Sequence, residues 1–301
     1  MDAFKNATFT VDPPPSPTAW ERFRERPSLF LALKLYDWRR IVQAQPLTKP
    51  VSVVCISNTY YQRPDIPEGD ILIHAGDLTS DGSLPQFQQT LDWLKNQPHP
   101  IKIVVAGMTD QLMDRKKQRG RRWKPEDRAK VKWGDIHYLE NNGITVTAPN
   151  GRQLRIWGSP NSPYLRGMAF QYPHTLNFWL GKIPENLDIL ITHSPPYGHL
   201  DSRTGCYHLL NELWVNPPRL HVFGRWREDQ GTEWLQYDKL QAAVEFSKGR
   251  NGGLYNLWMV IKGFVQSWCR PAIEAKTLLV NACITGGFWN MKRREPIKVV
   301  I

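Results

Sequence analysis

The sequence is poor in cysteine, and its cysteines lack the Cys-x-x-Cys spacing that marks many zinc and redox sites. There are four of them: Cys55, Cys206, Cys269 and Cys283. Two lie in apolar strand-like runs, where cysteine usually behaves as a small buried hydrophobe. We therefore expect packing rather than chemistry from these residues.

No apolar run is long enough to cross a membrane. The best candidate, residues 254–265, is interrupted by Asn256 and Lys262 and falls short of about 18 residues. Residues 1–15 contain no apolar segment of the kind found in a secretory signal. The sequence therefore predicts a soluble protein in the cytoplasm, without a transmembrane segment.

Acidic residues are fewer than basic ones, with 28 Asp and Glu against 39 Lys and Arg and a net charge of +11. A basic surface can attract nucleic acid, anionic lipid or acidic metabolites. The basic residues are scattered, however, and their densest runs (115–117, 119–122 and 292–294) are not interleaved with aromatic residues. We expect no nucleic-acid partner, and a merely soluble basic surface explains the charge equally well. The 13 tryptophans favour dense packing or a ligand-lined cleft.

The pattern of apolar residues changes at about residue 50. Residues 1–50 read as a proline-rich leader followed by one or two helices over 18–43, and residues 51–301 read as one domain. In that domain, continuous apolar runs predict strands separated by helices, which favours a layered α/β fold with sheets covered on both faces. The predicted strands are 51–56, 71–73, 101–105, 154–157, 189–191, 220–223, 277–280 and 297–301.

Polar residues cluster directly after five of these strands, where α/β sheets usually place their ligand sites. The segments are Ser57 to Tyr60, Gly76 to Thr79, Gly107 to Asp110, His193 to Pro196 and Gly224 to Arg227. Together with the blocks at 72–79, 158–172, 188–201, 219–224 and 278–282, this succession resembles the calcineurin-like metallophosphoesterases, in particular a small branch common in fungi. The resemblance implies an α/β fold in which a layered β-sandwich is flanked by helices (α/β/β/α), with two metal ions held by loops at the strand ends.

Most metal-ligand positions implied by the resemblance are altered. Of eight such positions, two keep a ligand, Asp77 and His193. The other six carry different residues: Asn58, Tyr60, Met108, Thr109, Arg225 and Arg227. A guanidinium stays protonated in proteins. At about 4 Å from a divalent ion it would be repelled by roughly 8 kcal/mol at an effective dielectric constant near 20. We expect no dinuclear metal site and no cofactor, with Asp77, His193 and Asn58 as residual candidates for one weak ion.

The altered residues still form a candidate site. We predict that the two arginines occupy the vacated metal volume and pair with Asp77, where they either hold the emptied site shut or bind an anionic or carbonyl-bearing ligand. Tyr60 and His193 could then transfer protons. The predicted catalytic residues are Tyr60, Asp77, His193, Arg225 and Arg227. The predicted ligand-binding residues are Asn58, Met108, Thr109, Asp110, Tyr197 and His199, and we expect His199 and Asp201 mainly to shape the cleft.

Three functions stay open at this level. The first is a metal-independent enzyme of cyclase, isomerase or lyase type, acting on a small organic molecule, with fungal secondary metabolism as the setting. The second is a non-catalytic pseudophosphatase that binds a nucleotide or another anion. The third is a residual phosphoesterase with a single weak ion. The sequence does not indicate a protein partner.

Overall fold

The computed structural model describes residues 18–39, 48–60, 62–116, 125–165, 167–202, 204–225, 229–250, 252–269, 276–286 and 292–301. The chain divides into two compact units, residues 1–40 with 238–272 and residues 41–237 with 273–301. The first is called the helical unit below, and the second the sheet unit. The domain boundary after residue 50 stays a prediction, and the structure adds that residues 238–272 group with the N-terminal helices.

The helices are α1 (Ala19–Glu25), α2 (Pro27–Asp37), α3 (Leu84–Lys95), α4 (Pro125–Ala129), α5 (Tyr207–Val215), α6 (Lys239–Gly249) and α7 (Leu254–Cys269). The strands are β1 (Ser52–Ile56), β2 (Ile71–Ala75), β3 (Ile101–Val105), β4 (Ile136–Leu139), β5 (Asn142–Thr147), β6 (Gln153–Ser159), β7 (Ser162–Pro163), β8 (Gln171–Tyr172), β9 (Ile189–Thr192), β10 (Leu220–Phe223), β11 (Gly231–Gln236), β12 (Lys276–Asn281), β13 (Thr285–Gly286), β14 (Lys292–Arg293) and β15 (Ile297–Val300).

Two mixed sheets form the centre of the sheet unit. The first has the strand order β15-β1-β2-β3-β4, with β15 antiparallel to the parallel set β1 to β4. The second has the order β11-β12-β10-β9-β6-β5, with antiparallel strands at both edges. One hydrophobic cluster contains buried residues of both sheets, among them Ile73 of β2 and Ile191 of β9. The sheets therefore pack face to face.

Helices cover the outer faces of the two sheets. Phe87 and Leu91 of α3 pack with Leu72 of the first sheet, and Leu209 of α5 packs with Leu190 of the second. Strands that are covered on both sides need apolar residues at successive positions, which explains their continuous apolar runs. The predicted α/β/β/α layering is confirmed, as are the eight predicted strands, whose observed bounds differ by at most two residues at either end.

The helical unit has its own small core. Thr18 and Glu21 form a capping box that starts α1. Ala32 and Tyr36 of α2 pack with Val244 of α6 and Val260 of α7. This cluster accounts for the burial of one side of each helix and gives α6 and α7 a shared inner face.

The side of α7 that faces away from this core carries large apolar side chains. Trp258, Val265 and Trp268 lie on it and are 53%, 56% and 57% exposed. The inner face uses other residues, including Val260 and Gly263, which are buried. Within the described residues, no helix combines the length and the apolar character required to cross a membrane.

Candidate functional site

The candidate residues lie on loops that directly follow β1, β2, β3, β9 and β10. Four of them adopt a left-handed backbone conformation: φ is 54° at Asn58, 47° at Tyr60, 59° at Asp77 and 70° at Arg225. Such a conformation costs a non-glycine residue on the order of 1–3 kcal/mol, and it persists only where the surroundings hold it. Its occurrence at four loop positions indicates that tertiary contacts fix these loops.

Asp77 is the hub of the site and is fully buried. Its Oδ2 accepts hydrogen bonds from Asn58 Nδ2 at 2.8 Å and from the Tyr60 hydroxyl at 3.1 Å. Its Oδ1 accepts from the Thr109 backbone N–H at 2.9 Å and lies 3.3 Å from His193 Nε2. Residues from three other loops therefore converge on this carboxylate.

His193 is oriented by the backbone of β2. Its Nδ1 lies 2.9 Å from the Ala75 carbonyl oxygen, which can only accept, so Nδ1 carries a proton. Burial lowers the pKa of His193, whereas the Asp77 charge and the Ala75 carbonyl act in the opposite direction. A neutral ring would set the Nε2 lone pair against a carboxylate oxygen. A proton between Nε2 and Oδ1 would make the 3.3 Å contact favourable.

The amide of Asn58 is held in one orientation. Its Oδ1 accepts from the Arg225 backbone N–H at 2.9 Å and from the Ser57 hydroxyl at 2.7 Å, while Nδ2 points at Asp77. Rotating the amide would set its NH₂ group against the Arg225 N–H and its oxygen against the Asp77 carboxylate. The atom that faces the Asp77 carboxylate is therefore a nitrogen with its protons, which is not a metal ligand.

Arg225 brings a positive charge into the buried site, since only 7% of the residue is exposed. Burial lowers the pKa of its guanidinium, and the groups that raise it are, in order, Tyr172, Asp77 and Cys206. Its loop passes close to the end of β1, because a Cβ on Gly224 would lie 1.8 Å from Ser57 Oγ. Arg227, the second predicted arginine, lies outside the described residues.

The donors in this site do not fit the two metal ions that the fold family implies. Both oxygens of Asp77 already accept N–H or O–H groups, Asn58 presents its amide nitrogen, and Arg225 adds a fixed cation. Hard divalent ions need several oxygen or imidazole ligands that converge on one point. Across the part of the chain that the structure describes, no group of three or more His, Cys, Asp or Glu side chains is arranged to hold an ion.

Asp110 is a buried carboxyl that holds the loops around Asp77 together. It accepts hydrogen bonds from the backbone N–H groups of Gly107 (2.7 Å), Leu78 (3.1 Å) and Thr79 (2.9 Å), and from the Thr79 hydroxyl. Burial and the nearby Asp77 charge raise its pKa to about 7. Its contacts join the loops after β2 and β3, and its role in ligand binding stays a prediction.

The remaining predicted ligand-binding residues, Met108, Tyr197 and His199, make other contacts. Met108 is buried, and its carbonyl oxygen accepts from the Ala169 N–H at 2.9 Å. His199 Nδ1 lies 3.1 Å from Glu233 Oε1, and the Tyr197 ring packs edge-on against another tyrosine. Asp201 Oδ2 accepts hydrogen bonds from two backbone N–H groups of its own loop, and its expected role in shaping the cleft stays a prediction.

Sequence reasoning missed several residues that hold the site. Ser57 directly precedes Asn58 in the sequence, and Thr285 donates its hydroxyl to the Asn58 carbonyl oxygen at 3.0 Å. Beside Arg225, the Tyr172 hydroxyl donates to Cys206 Sγ at 3.1 Å, and burial raises the pKa of this tyrosine. Tyr172 is the last residue of the block at 158–172, one of the blocks that carry the family resemblance. This position was the sequence signal that could have identified it.

Comparisons with known proteins agree with this architecture. A family model described as calcineurin-like phosphoesterase matches residues 51–238. A protein of Emericella nidulans named probable rhamnogalacturonate lyase C is 36% identical over 290 residues, which are 94% of this chain and 27% of that protein. Human metallophosphoesterase domain-containing protein 1 is 36% identical over 204 residues, which are 59% of this chain and 61% of that protein. The chain thus spans about a quarter of the first relative and about three fifths of the second.

A solved structure of a Thermus thermophilus protein overlaps with 62% of this chain and 84% of its own, with a TM-score of 0.45 and 13% identity. The sequence match over residues 51–238 covers most strands of both sheets and the loops of the candidate site. The chain therefore belongs to the calcineurin-like phosphoesterase family.

Proposed function

We propose that this member of the family uses metal-independent proton transfer on a small organic molecule in place of dinuclear metal chemistry. The reaction class that we favour is cyclisation, isomerisation or elimination, with secondary metabolism as the setting and the cytoplasm as the location. One observation carries the proposal. Tyr60, Asp77 and His193 form a connected chain, with 3.1 Å from the tyrosine hydroxyl to Asp77 and 3.3 Å from Asp77 to the imidazole.

This chain can deliver one proton and recover it. Tyr60 gives its hydroxyl proton to a substrate atom. It is then reprotonated through Asp77, by the proton that Asp77 and His193 share. Run in reverse, the same groups accept a proton from the substrate. Arg225 would stabilise negative charge that develops on the substrate, because a fixed cation in a buried site acts strongly on such charge. Arg227 is proposed to assist it.

The altered ligand set supports chemistry without a metal. The Asn58 amide nitrogen faces Asp77, so the single-ion alternative formed by Asp77, His193 and Asn58 lacks one of its three ligands. A lyase name in a relative that matches 94% of this chain also favours proton-transfer chemistry, although the match covers 27% of that protein. Thr109, which is partly exposed, is our candidate for contact with the bound molecule.

The test measures deuterium uptake into carbon acids by chelator-treated protein in D₂O. The probes are methyl esters of uronic acids, β-keto esters and conjugated dienones, followed by NMR. We expect exchange in at least one probe class that survives chelation and falls by about 100-fold in Tyr60→Phe, since general acid–base groups typically contribute about 10²–10⁴. Tyr164→Phe is the matched control, because this tyrosine is 55% exposed and lies outside the site. Exchange that disappears on chelation, or that Tyr60→Phe leaves unchanged, contradicts the proposal.

A second candidate is a pseudophosphatase that binds an anion without turning it over. The complete burial of Asp77 and His193 favours it, because a ligand can then reach only the outer groups of the site. Calorimetric titration with inorganic phosphate and AMP separates the two candidates. Binding that is lost in Arg225→Ala, together with absence of deuterium exchange in every probe, supports the anion binder. Hydrolysis of bis(p-nitrophenyl) phosphate that requires Mn²⁺ supports the single-ion phosphoesterase instead.

A further inference from the structure

The helical unit contains a groove that the proposed function does not use. It lies between α6 and α7, with a volume of about 530 Å³, within the range of small-molecule sites. The two helices follow each other closely in the sequence, so they run antiparallel. They approach each other most closely at Gly263, where a Cβ would lie 2.8 Å from Leu240 Cα.

The floor and one end of the groove are apolar. Ala242 and Ala243 of α6 form a shallow floor that leaves room for a guest. Phe246, Tyr255 and Met259 stand around it and are 45%, 68% and 37% exposed. Removing such surface from water contributes about 25 cal/mol per Å² of apolar area, so an apolar guest would be held there.

The other end of the groove is polar and cationic. Lys239 begins α6 and Gln266 lies near the end of α7, so the antiparallel arrangement sets both at the end opposite Phe246 and Tyr255. Lys262, one turn before Gln266, adds a second positive charge. The residues known to line the groove include no aspartate or glutamate. At about 1.5 Å per residue, the stretch of helix from Tyr255 to Gln266 spans roughly 16 Å.

We propose that this groove binds one molecule of an amphiphilic anion. Its alkyl or acyl chain lies between Phe246, Tyr255 and Met259, and its carboxylate or phosphate head lies at Lys239 and Lys262. Charge complementarity selects the head group, and the groove length selects a medium-length chain. The proposal concerns residues of the helical unit alone and stands independently of the proton-transfer site.

The experiment uses the full chain and a dansylated undecanoic acid as the fluorescent probe. Dodecanoate, dodecanol and dodecyltrimethylammonium then compete, and they share a chain length but differ in head-group charge. We expect dodecanoate to displace the probe most strongly and the ammonium compound most weakly. The double variant Lys239→Glu with Lys262→Glu should weaken dodecanoate binding by about tenfold or more, the size of a lost charge-assisted hydrogen bond.

Two further variants keep the test specific. Arg24→Glu with Lys34→Glu makes the same change of charge on α1 and α2 of the same unit, outside the groove, and should leave binding unchanged. Ala242→Trp fills the groove from an exposed position and should abolish binding without lowering the melting temperature. Equal displacement by all three competitors, or equal losses in the two double variants, overturns the proposal. Co-sedimentation with phosphatidylserine vesicles without dodecanoate binding assigns the surface to a membrane and overturns it as well.

Discussion

Replacing Asp77 distinguishes two possible roles of its carboxylate, which are to organise hydrogen-bond donors and to bridge metal ions. In Asp77→Asn, the new carbonyl oxygen can still accept from Asn58 Nδ2 and the Tyr60 hydroxyl. The new amide NH₂ group faces the Thr109 N–H, which therefore loses its acceptor. The same NH₂ group can donate to His193 Nε2 when the imidazole ring is neutral. An unsatisfied buried N–H costs about 1–3 kcal/mol, and a new hydrogen bond returns about 0.5–1.5 kcal/mol. We expect a net loss of about 1–2 kcal/mol in the free energy of unfolding.

Asp77→Ala is the matched comparison. It removes the carboxylate that accepts from three groups: the Asn58 amide, the Tyr60 hydroxyl and the Thr109 backbone N–H. The expected loss is about 3–5 kcal/mol, as for other broken buried networks. Urea unfolding followed by circular dichroism measures both variants, with and without Mn²⁺ after chelator treatment.

The measurements with and without Mn²⁺ decide between the two roles of the carboxylate. An ion present at about 100 times its Kd would raise stability by about 2.7 kcal/mol. We expect no such rise in the wild type, and a clear ranking of the alanine variant below the asparagine variant. If Mn²⁺ stabilises the wild type and the two variants lose that gain equally, the carboxylate is a metal ligand and the metal-independent role assigned to it is wrong.

Two further predictions concern the supports of the site. The pKa of Asp110 is about 7 in the folded protein, against an ordinary value of 3.8. Between these pH values the folded state binds more protons than the unfolded state. The free energy of unfolding therefore falls as the pH rises. Relative to wild type, Asp110→Asn should therefore gain stability from about pH 4 to about pH 7, on the order of 4 kcal/mol at most. A pH-independent difference in urea midpoints would refute this. Gly224→Ala should lower the free energy of unfolding by about 1–3 kcal/mol, because its Cβ would lie 1.8 Å from Ser57 Oγ. Gly249→Ala is the control: it has open space around it and should be neutral or stabilising. Equal thermal shifts in the two glycine variants would contradict that contact.

The sequence predicted the central strands well but missed three of the four edge strands of the two large sheets. β1, β2, β3, β9, β10 and β12 are almost wholly buried, so apolar side chains stand at successive positions. The missed strands β4, β5 and β11 lie at sheet edges, where only some positions are buried and the apolar run disappears. Helix α6 was missed for a similar reason, since its apolar residues are interrupted by Lys, Gln and Glu.

The site could be predicted as a set of loops but not as a network. Strand ends gave Asn58, Asp77 and His193 as neighbours, because parallel strands bring their carboxyl ends to one edge. The orientation of the Asn58 amide depends on the Arg225 backbone, 167 residues away, and the raised pKa of Asp110 depends on burial and on the Asp77 charge. Such properties come from tertiary contacts and leave no periodic trace in the sequence.

The strained loops and the buried charges are two parts of the same arrangement. Asn58, Tyr60 and Asp77 each adopt a left-handed backbone, which is unfavourable in isolation. In exchange, their side chains meet in a cluster where both oxygens of Asp77 have a donor and the Asn58 oxygen holds the Arg225 loop. The guanidinium of Arg225 supplies positive charge to a pocket where the family resemblance implies metal ions. If protein groups rather than exchangeable ions maintain this balance, as we propose, chelators should leave the geometry of the site unchanged, and proton transfer is a chemistry that such a fixed arrangement can support.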